Sequence, residues 1–210
     1  MSPLRTGFRY GLVAVVIALV ADLRYLLITP GDLPNWILTV IETFRTQAAL
    51  AAFLFLSILA ALRVRPVRVE ADVPYRSLLL RDGALAATVV SVMAGLALLV
   101  ATGLNSTVLA DNVRAYASDA APYILEYNAK VAGRLDEPPP LPPVGEIEAG
   151  LQPPEPRDVG RSLANLVLRS ILLGTVGAIV GALRGSFGKR GDAGEDAPPR
   201  SGAAEGTPGA

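Results

Sequence analysis

The sequence predicts an all-α integral membrane protein with four transmembrane helices, and two observations support this fold class. Residues 83–104 carry no charged side chain. As a helix they would measure about 33 Å, close to the roughly 30 Å hydrocarbon core of a bilayer. The chain of 210 residues is 51 % hydrophobic and only 18 % charged, which is too apolar for an ordinary soluble domain. We therefore expect lipid to cover much of its surface.

The first predicted helix covers residues 10–29, after a short basic segment at residues 1–9. A signal peptide also has a basic start and a short apolar stretch, so cleavage after Ala21 is the alternative. Leu19 lies two positions before that cut, where a small residue is required, and the apolar pattern resumes beyond it. We therefore expect the helix to be retained. Cleavage would leave three spans without inverting them.

The next three segments define the second and third helices. A turn at residues 30–35, with two prolines and a glycine, leads into the second predicted helix at residues 36–62. Residues 63–82 form a basic loop, in which two prolines favour an extended loop over a strand. The third predicted helix is the 83–104 segment, and the fourth covers residues 162–183.

A long loop at residues 105–161 joins the third helix to the fourth. Larger side chains recur at helical spacing over residues 107–135, which predicts an amphipathic helix that breaks near Pro122. Residues 137–156 are rich in proline and predict an extended polyproline segment. The helix carries three tyrosines suited to a membrane surface, namely Tyr116, Tyr123 and Tyr127.

The distribution of lysine and arginine predicts that both termini are cytoplasmic. With the N-terminus inside, the cytoplasmic segments hold eleven of these residues, and the outer loop holds five among nine carboxylates. Residues 184–210 form a cytoplasmic tail with almost nothing to bury, which predicts disorder. Arg63, Arg65 and Arg68 are expected to set the orientation and to contact anionic lipid. Seventeen arginines against two lysines indicate a bacterial protein, and therefore the plasma (inner) membrane.

Four charged residues inside the predicted spans share one depth. Measured from the outer helix ends, they lie about 9–13 Å into the membrane at 1.5 Å per residue, where an unpaired charge costs about 3 kcal/mol or more. Three arrangements would reduce that cost. Glu42 pairs with Arg45 along one helix. Asp22 pairs with an arginine of a neighbouring helix. Arg24 extends toward the outer surface. The intramembrane polar cluster is Asp22, Glu42, Arg45 and Arg169.

Three interpretations fit this intramembrane polar cluster. It forms a polar pocket for an ion, a proton or a head group, or it contains ion pairs that only hold the bundle together. In the third interpretation the helices begin deeper than predicted, so that Glu42 and Arg45 lie at the head groups and Asp22 ends its helix. Arg169 argues against this last interpretation, because residues 170–183 alone are too short to span a bilayer.

Small residues at four-residue spacing form a glycine-zipper pattern on two of the predicted helices. Such residues let helix backbones touch, which matters in lipid because burying leucine against leucine gains little there. We expect the two faces to meet within one chain, with a second copy or another membrane protein as the alternative contact. The faces are Gly174, Gly177, Gly181 and Gly185 on the fourth helix, and Ala87, Ser91 and Gly95 on the third.

The chain has no cysteine and no histidine, which removes disulfides, thiolate catalysis, Cys/His zinc sites and histidine-ligated haem. It has no phosphate loop, nucleophile elbow or base-reading element. We therefore expect no catalysis, cofactor, metal or nucleic-acid partner. The predicted function is a non-enzymatic accessory, scaffold or interaction component. Its expected partners are membrane lipids and either another membrane protein or a second copy. The alternative is a small ion, proton or solute transporter or channel that uses the four intramembrane charges.

Overall fold

The computed structural model describes residues 2–65, 74–153 and 155–187. Every regular element in these ranges is helical, and they contain no strand. Two 3₁₀ turns lie between the first two α-helices. In chain order the elements are α1 Pro3–Asp22, the turns Arg24–Leu26 and Pro30–Asp32, α2 Asn35–Arg63, α3 Tyr75–Ser106, α4 Ala110–Ala132, α5 Val144–Leu151 and α6 Pro156–Phe187.

Four of these helices are long and apolar enough to cross a membrane, namely α1, α2, α3 and the Leu163–Phe187 portion of α6. Large apolar side chains on their outer surfaces stay exposed, among them Phe8 and Val16 on α1 and Ile171 on α6. Soluble monomers rarely expose such continuous apolar surface. The prediction of an all-helical chain with four potential spans is therefore confirmed, and the helices suit a membrane protein.

The first helix begins and ends earlier than predicted. It starts at Pro3, a residue whose fixed backbone angle suits the first turn of a helix. It ends at Asp22, where the chain turns through the two 3₁₀ segments, so that residues 23–29 are not part of this helix. The segment at residues 1–9, predicted to precede the helix, therefore lies largely within it.

The third and fourth spans belong to longer helices than predicted. Helix α3 starts at Tyr75 directly after Pro74, and α6 starts at Pro156. Both are 32 residues long, about 48 Å at 1.5 Å per residue, and so exceed the bilayer core. Part of the predicted basic loop is therefore helical, whereas its Arg68 lies outside the described residues.

Helices α3 and α6 form the most extensive helix pair of the bundle. A Cβ added at Gly177 would lie 2.6 Å from the carbonyl oxygen of Gly83, and one added at Gly181 would overlap the carbonyl oxygen of Leu79. Because glycine has no Cβ atom, the two backbones can touch at these positions. The other small residues of the two faces also lie at this contact, with Gly174 against Thr88, Gly185 against Arg76, Gly177 against Ala87, Gly95 against Leu166, and Ser91 hydrogen-bonded to Ser170.

Helix α4 covers one end of the bundle, where α1 ends, α2 begins and α3 ends. We call this the cap end. Its buried face is Val113, Tyr116, Ala120 and Ile124, which pack on Tyr25 and Leu38. The predicted position of Tyr116 at a membrane surface is therefore wrong, whereas Tyr123 is 36 % exposed.

Two predictions for the loop after α3 are also wrong. Helix α4 continues through Pro122 without a break, and this proline lies on the exposed side of the helix. Residues 137–156 are not extended throughout, since α5 occupies Val144–Leu151. Helix α5 packs against the α4 cluster through Ile147 and Leu151, and these apolar contacts explain why the segment folds.

Candidate functional site

Two charged side chains form a buried ion pair at the cap end. The Arg24 guanidinium, in the 3₁₀ turn after α1, donates two hydrogen bonds to the Glu42 carboxylate on α2. One runs from Nε to Oε1 at 2.6 Å and the other from Nη2 to Oε2. The side chains are only 7 % and 4 % exposed. This bidentate arrangement is the geometry in which a planar guanidinium matches a carboxylate.

Tyr116 joins α4 to this ion pair. Its hydroxyl donates to Oε1 of Glu42 at 2.7 Å, and its ring centroid lies 5.7 Å from the guanidinium carbon of Arg24, within the range of a cation–π contact. Burial raises the pKa of the Tyr116 hydroxyl, and the negative charge of Glu42 and the hydrogen bond to it raise this pKa further. The hydroxyl therefore stays protonated, and able to donate, at physiological pH.

A second pair of polar contacts links α3 to the same end. The Tyr25 hydroxyl lies 2.5 Å from Oδ1 of Asn105, and Nδ2 of Asn105 lies 3.4 Å from the backbone oxygen of Asp22. Burial is the main cause that raises the pKa of Tyr25, and the charge of Asp22 adds to it. The rings of Tyr25 and Tyr116 are 6.3 Å apart and tilted by 54°, a favourable aromatic geometry. We call Arg24, Tyr25, Glu42, Asn105 and Tyr116 the cap network.

Three residues of the predicted intramembrane polar cluster surround one cavity. Asp22, Arg45 and Arg169 line a space of about 200 Å³ between the end of α1 and the cap-end halves of α2, α3 and α6. We call it the bundle cavity. Glu42 belongs to the cap network and does not line this cavity. Within the described ranges, no carboxylate lies at ion-pairing distance from Arg169.

A second cavity of about 240 Å³ lies between the bundle and the cap helices. Residues of the cap network line it together with Leu151 and Gln152 at the end of α5. Asp22, Arg45 and Thr102 line both cavities. The space within the bundle and the space beneath the cap are therefore adjacent at these three residues.

The predicted ion pair between Glu42 and Arg45 along α2 is present, with Nε of Arg45 4.0 Å from the carboxylate. The closer partner of Glu42 is Arg24, which was not predicted to pair with it. Arg24 is buried and does not extend toward the surface. The reason is the early end of α1, which turns Arg24 back over α2.

Sequence reasoning missed Tyr25, Asn105 and Tyr116 as polar partners. The periodicity of α4 placed Tyr116 on its apolar stripe, and that was the available signal. The stripe could not indicate a buried carboxylate beneath it, because the docking position of α4 depends on the whole bundle.

The opposite end of the bundle is basic. Arg63 and Arg65 are exposed there at the end of α2, as expected for residues that contact head groups. Nη1 of Arg184 on α6 donates to the backbone oxygen of Val64 at 2.6 Å. This bond satisfies a carbonyl group at the end of α2 and ties α2 to α6.

No protein-family model, curated protein or solved structure matches this chain. Among the described residues, no group of three or more acidic side chains could hold a metal ion. The polar groups of the site are guanidinium, carboxylate, amide and hydroxyl groups. These groups can bind anions, form hydrogen bonds and hold the cap against the bundle.

Proposed function

We propose that this chain is a four-span protein of the bacterial plasma (inner) membrane with both termini in the cytoplasm. We propose that it acts as a non-enzymatic accessory, scaffold or interaction component. The cap network is the observation that supports this role. It holds the segment after α3, which would lie outside the cell in this topology, as a folded surface. Ordering each residue of such a segment costs about 1–2 kcal/mol of backbone entropy. A segment that is already folded does not bear this cost when a partner binds, which suits a recognition surface.

The use of the polar groups also favours a binding role. Both oxygens of Glu42 accept hydrogen bonds from Arg24 and Tyr116, and its side chain is 4 % exposed. This carboxylate is therefore committed to holding the cap. Away from the cap end, Leu56, Ala60 and Val90 are buried in one hydrophobic cluster that fills the bundle. A partner is therefore more readily bound on the outer surface than carried through the bundle.

Single cysteines test the topology, because the native chain has none. Ala149 on α5 and Ser77 at the start of α3 are both exposed. With a membrane-impermeant maleimide, we expect Ala149→Cys to react in intact cells and Ser77→Cys to react only after permeabilisation. The reverse pattern, or equal reaction of both, would overturn the proposed orientation.

Photo-crosslinking in cells tests the interaction role. A photoreactive amino acid at exposed Ser118 on α4 should give an adduct with another chain, and the same group at fully buried Ala120 is the matched control. The adduct is expected from position 118 alone. Recovery of a lone monomer in mild detergent, with no adduct from position 118, would contradict the proposal.

The second candidate function is a small ion, proton or solute transporter or channel. The two cavities favour it, since they are adjacent and share Asp22, Arg45 and Thr102 as lining residues. In proteoliposomes, Asp22→Asn and Arg169→Gln would then alter ion or proton flux, whereas Arg114→Gln, on the exposed side of α4, would not. Absence of flux in the parent protein, or unchanged flux in both variants, would end this candidate.

A further inference from the structure

We infer that the bundle cavity is a binding site for an anionic amphiphile, a molecule with a phosphate or carboxylate head group and an acyl tail. The head group lies between Arg45 and Arg169, and the tail leaves the cavity sideways between α2 and α6. The inference rests on the proposed membrane location. It goes beyond the proposed role, because it names a small-molecule ligand and the residues that recognise it.

The charges around the cavity call for an anion. Two guanidinium groups line it, from Arg45 and Arg169, against the single carboxylate of Asp22. Glu42 does not restore the balance, because its one negative charge is shared between Arg24 and Arg45. Three guanidinium groups therefore face two carboxylates. An uncompensated positive charge is costly within a membrane, and a phosphate or carboxylate group between the two arginines would remove that cost through charge-assisted hydrogen bonds.

The remaining walls suit a molecule that is polar at one end and apolar along the rest. Thr102 and Asn165 supply polar groups, whereas Phe53, Leu98 and Leu173 supply apolar surface. The volume of about 200 Å³ exceeds the ~150 Å³ of an engineered cavity that admits benzene. It therefore takes a head group and the first carbons of a chain, and the rest of a long tail must lie outside.

The cavity opens between α2 and α6. These helices meet at the end away from the cap, where Arg184 bonds to the backbone of Val64. Nearer the cap, the cavity separates them, and its lining includes exposed residues of both helices, Thr46 and Leu50 on α2 and Asn165 on α6. In the proposed orientation this opening faces the acyl chains of the bilayer. An acyl tail can therefore leave directly into lipid, which favours an amphiphile over a soluble anion.

Native mass spectrometry of the full-length protein in detergent tests the inference. The added probes are phosphatidylglycerol, phosphatidylcholine with the same tails, palmitate and inorganic phosphate. We expect at least one of phosphatidylglycerol and palmitate to bind about tenfold more tightly than phosphatidylcholine. The choline cation of phosphatidylcholine cancels the charge of its phosphate, and a difference of one hydrogen bond to a charged group has about this size. Arg169→Gln should abolish the preference. Arg114→Gln makes the same change in net charge on α4 and should keep it.

A second variant keeps every charge and blocks the opening. Thr46→Trp replaces an exposed residue at the mouth of the cavity, so the fold should tolerate it even where Arg169→Gln is unstable. It should weaken binding of the preferred probe by about tenfold or more, as expected when a well-fitting contact is lost.

The probes also identify the head group. Preference for phosphatidylglycerol assigns a phosphate, preference for palmitate assigns a carboxylate, and binding of both assigns the shared anionic chemistry. The inference is overturned if neither probe exceeds phosphatidylcholine or if inorganic phosphate alone binds. It is also overturned if Arg169→Gln keeps the preference, or if Thr46→Trp binds the preferred probe as tightly as the parent protein does. Failure of the proposed topology would appear separately in the cysteine labelling, because the micelle experiment does not depend on orientation.

Discussion

Replacement of Glu42 by glutamine is expected to destabilise the folded protein by about 3–5 kcal/mol, the usual cost of breaking one partner of a buried ion pair. The guanidinium of Arg24 is 7 % exposed and bonds both oxygens of the carboxylate. Glutamine has nearly the same shape, but its amide group would place N–H donors against the N–H donors of Arg24. The Tyr116 hydroxyl would also lose its charged acceptor.

A double variant separates the ion pair from general damage to the fold. Combining Arg24→Gln with Glu42→Gln removes both charges. The double variant should therefore lose about 2 kcal/mol less unfolding free energy than the two single variants lose in sum. Asp111→Asn is the matched control, because it breaks an ion pair with Arg114 that is exposed on α4. Exposed pairs add little to stability, and this variant should keep the parental denaturation midpoint.

Titration with sodium dodecyl sulfate in mixed micelles measures these differences. Loss of helix is followed by circular dichroism, and the environment of Trp36 at the start of α2 is followed by fluorescence, since the chain has one tryptophan. Limited proteolysis of α4 and α5 reports release of the cap. If Glu42→Gln lowers the free energy of unfolding by less than about 1 kcal/mol, Arg24 is not left buried without a partner and the reasoning is refuted. Strict additivity of the two single variants would also refute it.

Two further predictions concern helix packing and tyrosine ionisation. Gly181→Ala should cost about 1–3 kcal/mol, because its Cβ overlaps the carbonyl oxygen of Leu79. Gly103→Ala, where a Cβ meets open space, should stabilise the helix by up to about 1 kcal/mol; equal effects would contradict the close contact. Because burial and Glu42 raise the pKa of Tyr116 above 10.0, its contribution to stability is complete below pH 10.0 and is lost as the pH rises toward the folded pKa. In a tyrosinate absorbance titration, Tyr116→Phe should remove the tyrosine that ionises at the highest pH. Loss of a tyrosine that ionises near pH 10.0 would contradict the prediction.

The four potential spans could be predicted because hydrophobic length is a local property. Helix α2 covers Asn35–Arg63, one residue longer at each end than predicted. The ends of α1, α3 and α6 were less predictable, since a polar residue such as Asp82 continues a helix when a neighbouring helix covers it. Asp82 is 4 % exposed within α3, and only packing against other helices decides that.

The intramembrane polar cluster could be predicted only in part from the sequence. Depth along each helix brought Asp22, Arg45 and Arg169 to one level, and these three do line one cavity. Their distances from one another, and the choice of partner for Glu42, were not recoverable. Depth sets the position of a residue along a helix axis, whereas pairing also requires its direction around that axis and the approach of the next helix.

The sequence by itself determined that this chain is helical, that four segments are long and apolar enough to cross a membrane, and where small residues permit close approach. These properties follow from hydropathy, spacing and side-chain size along one segment at a time. Only the tertiary structure decided that α4 docks on the bundle, that Arg24 lies closer to Glu42 than Arg45 does, and that Arg45 and Arg169 line a shared cavity. The physical reason is that a buried charge takes whichever partner the folded chain brings within hydrogen-bonding distance. Here that partner depends on where α1 ends and on the docking of a helix about 70 residues further along the chain.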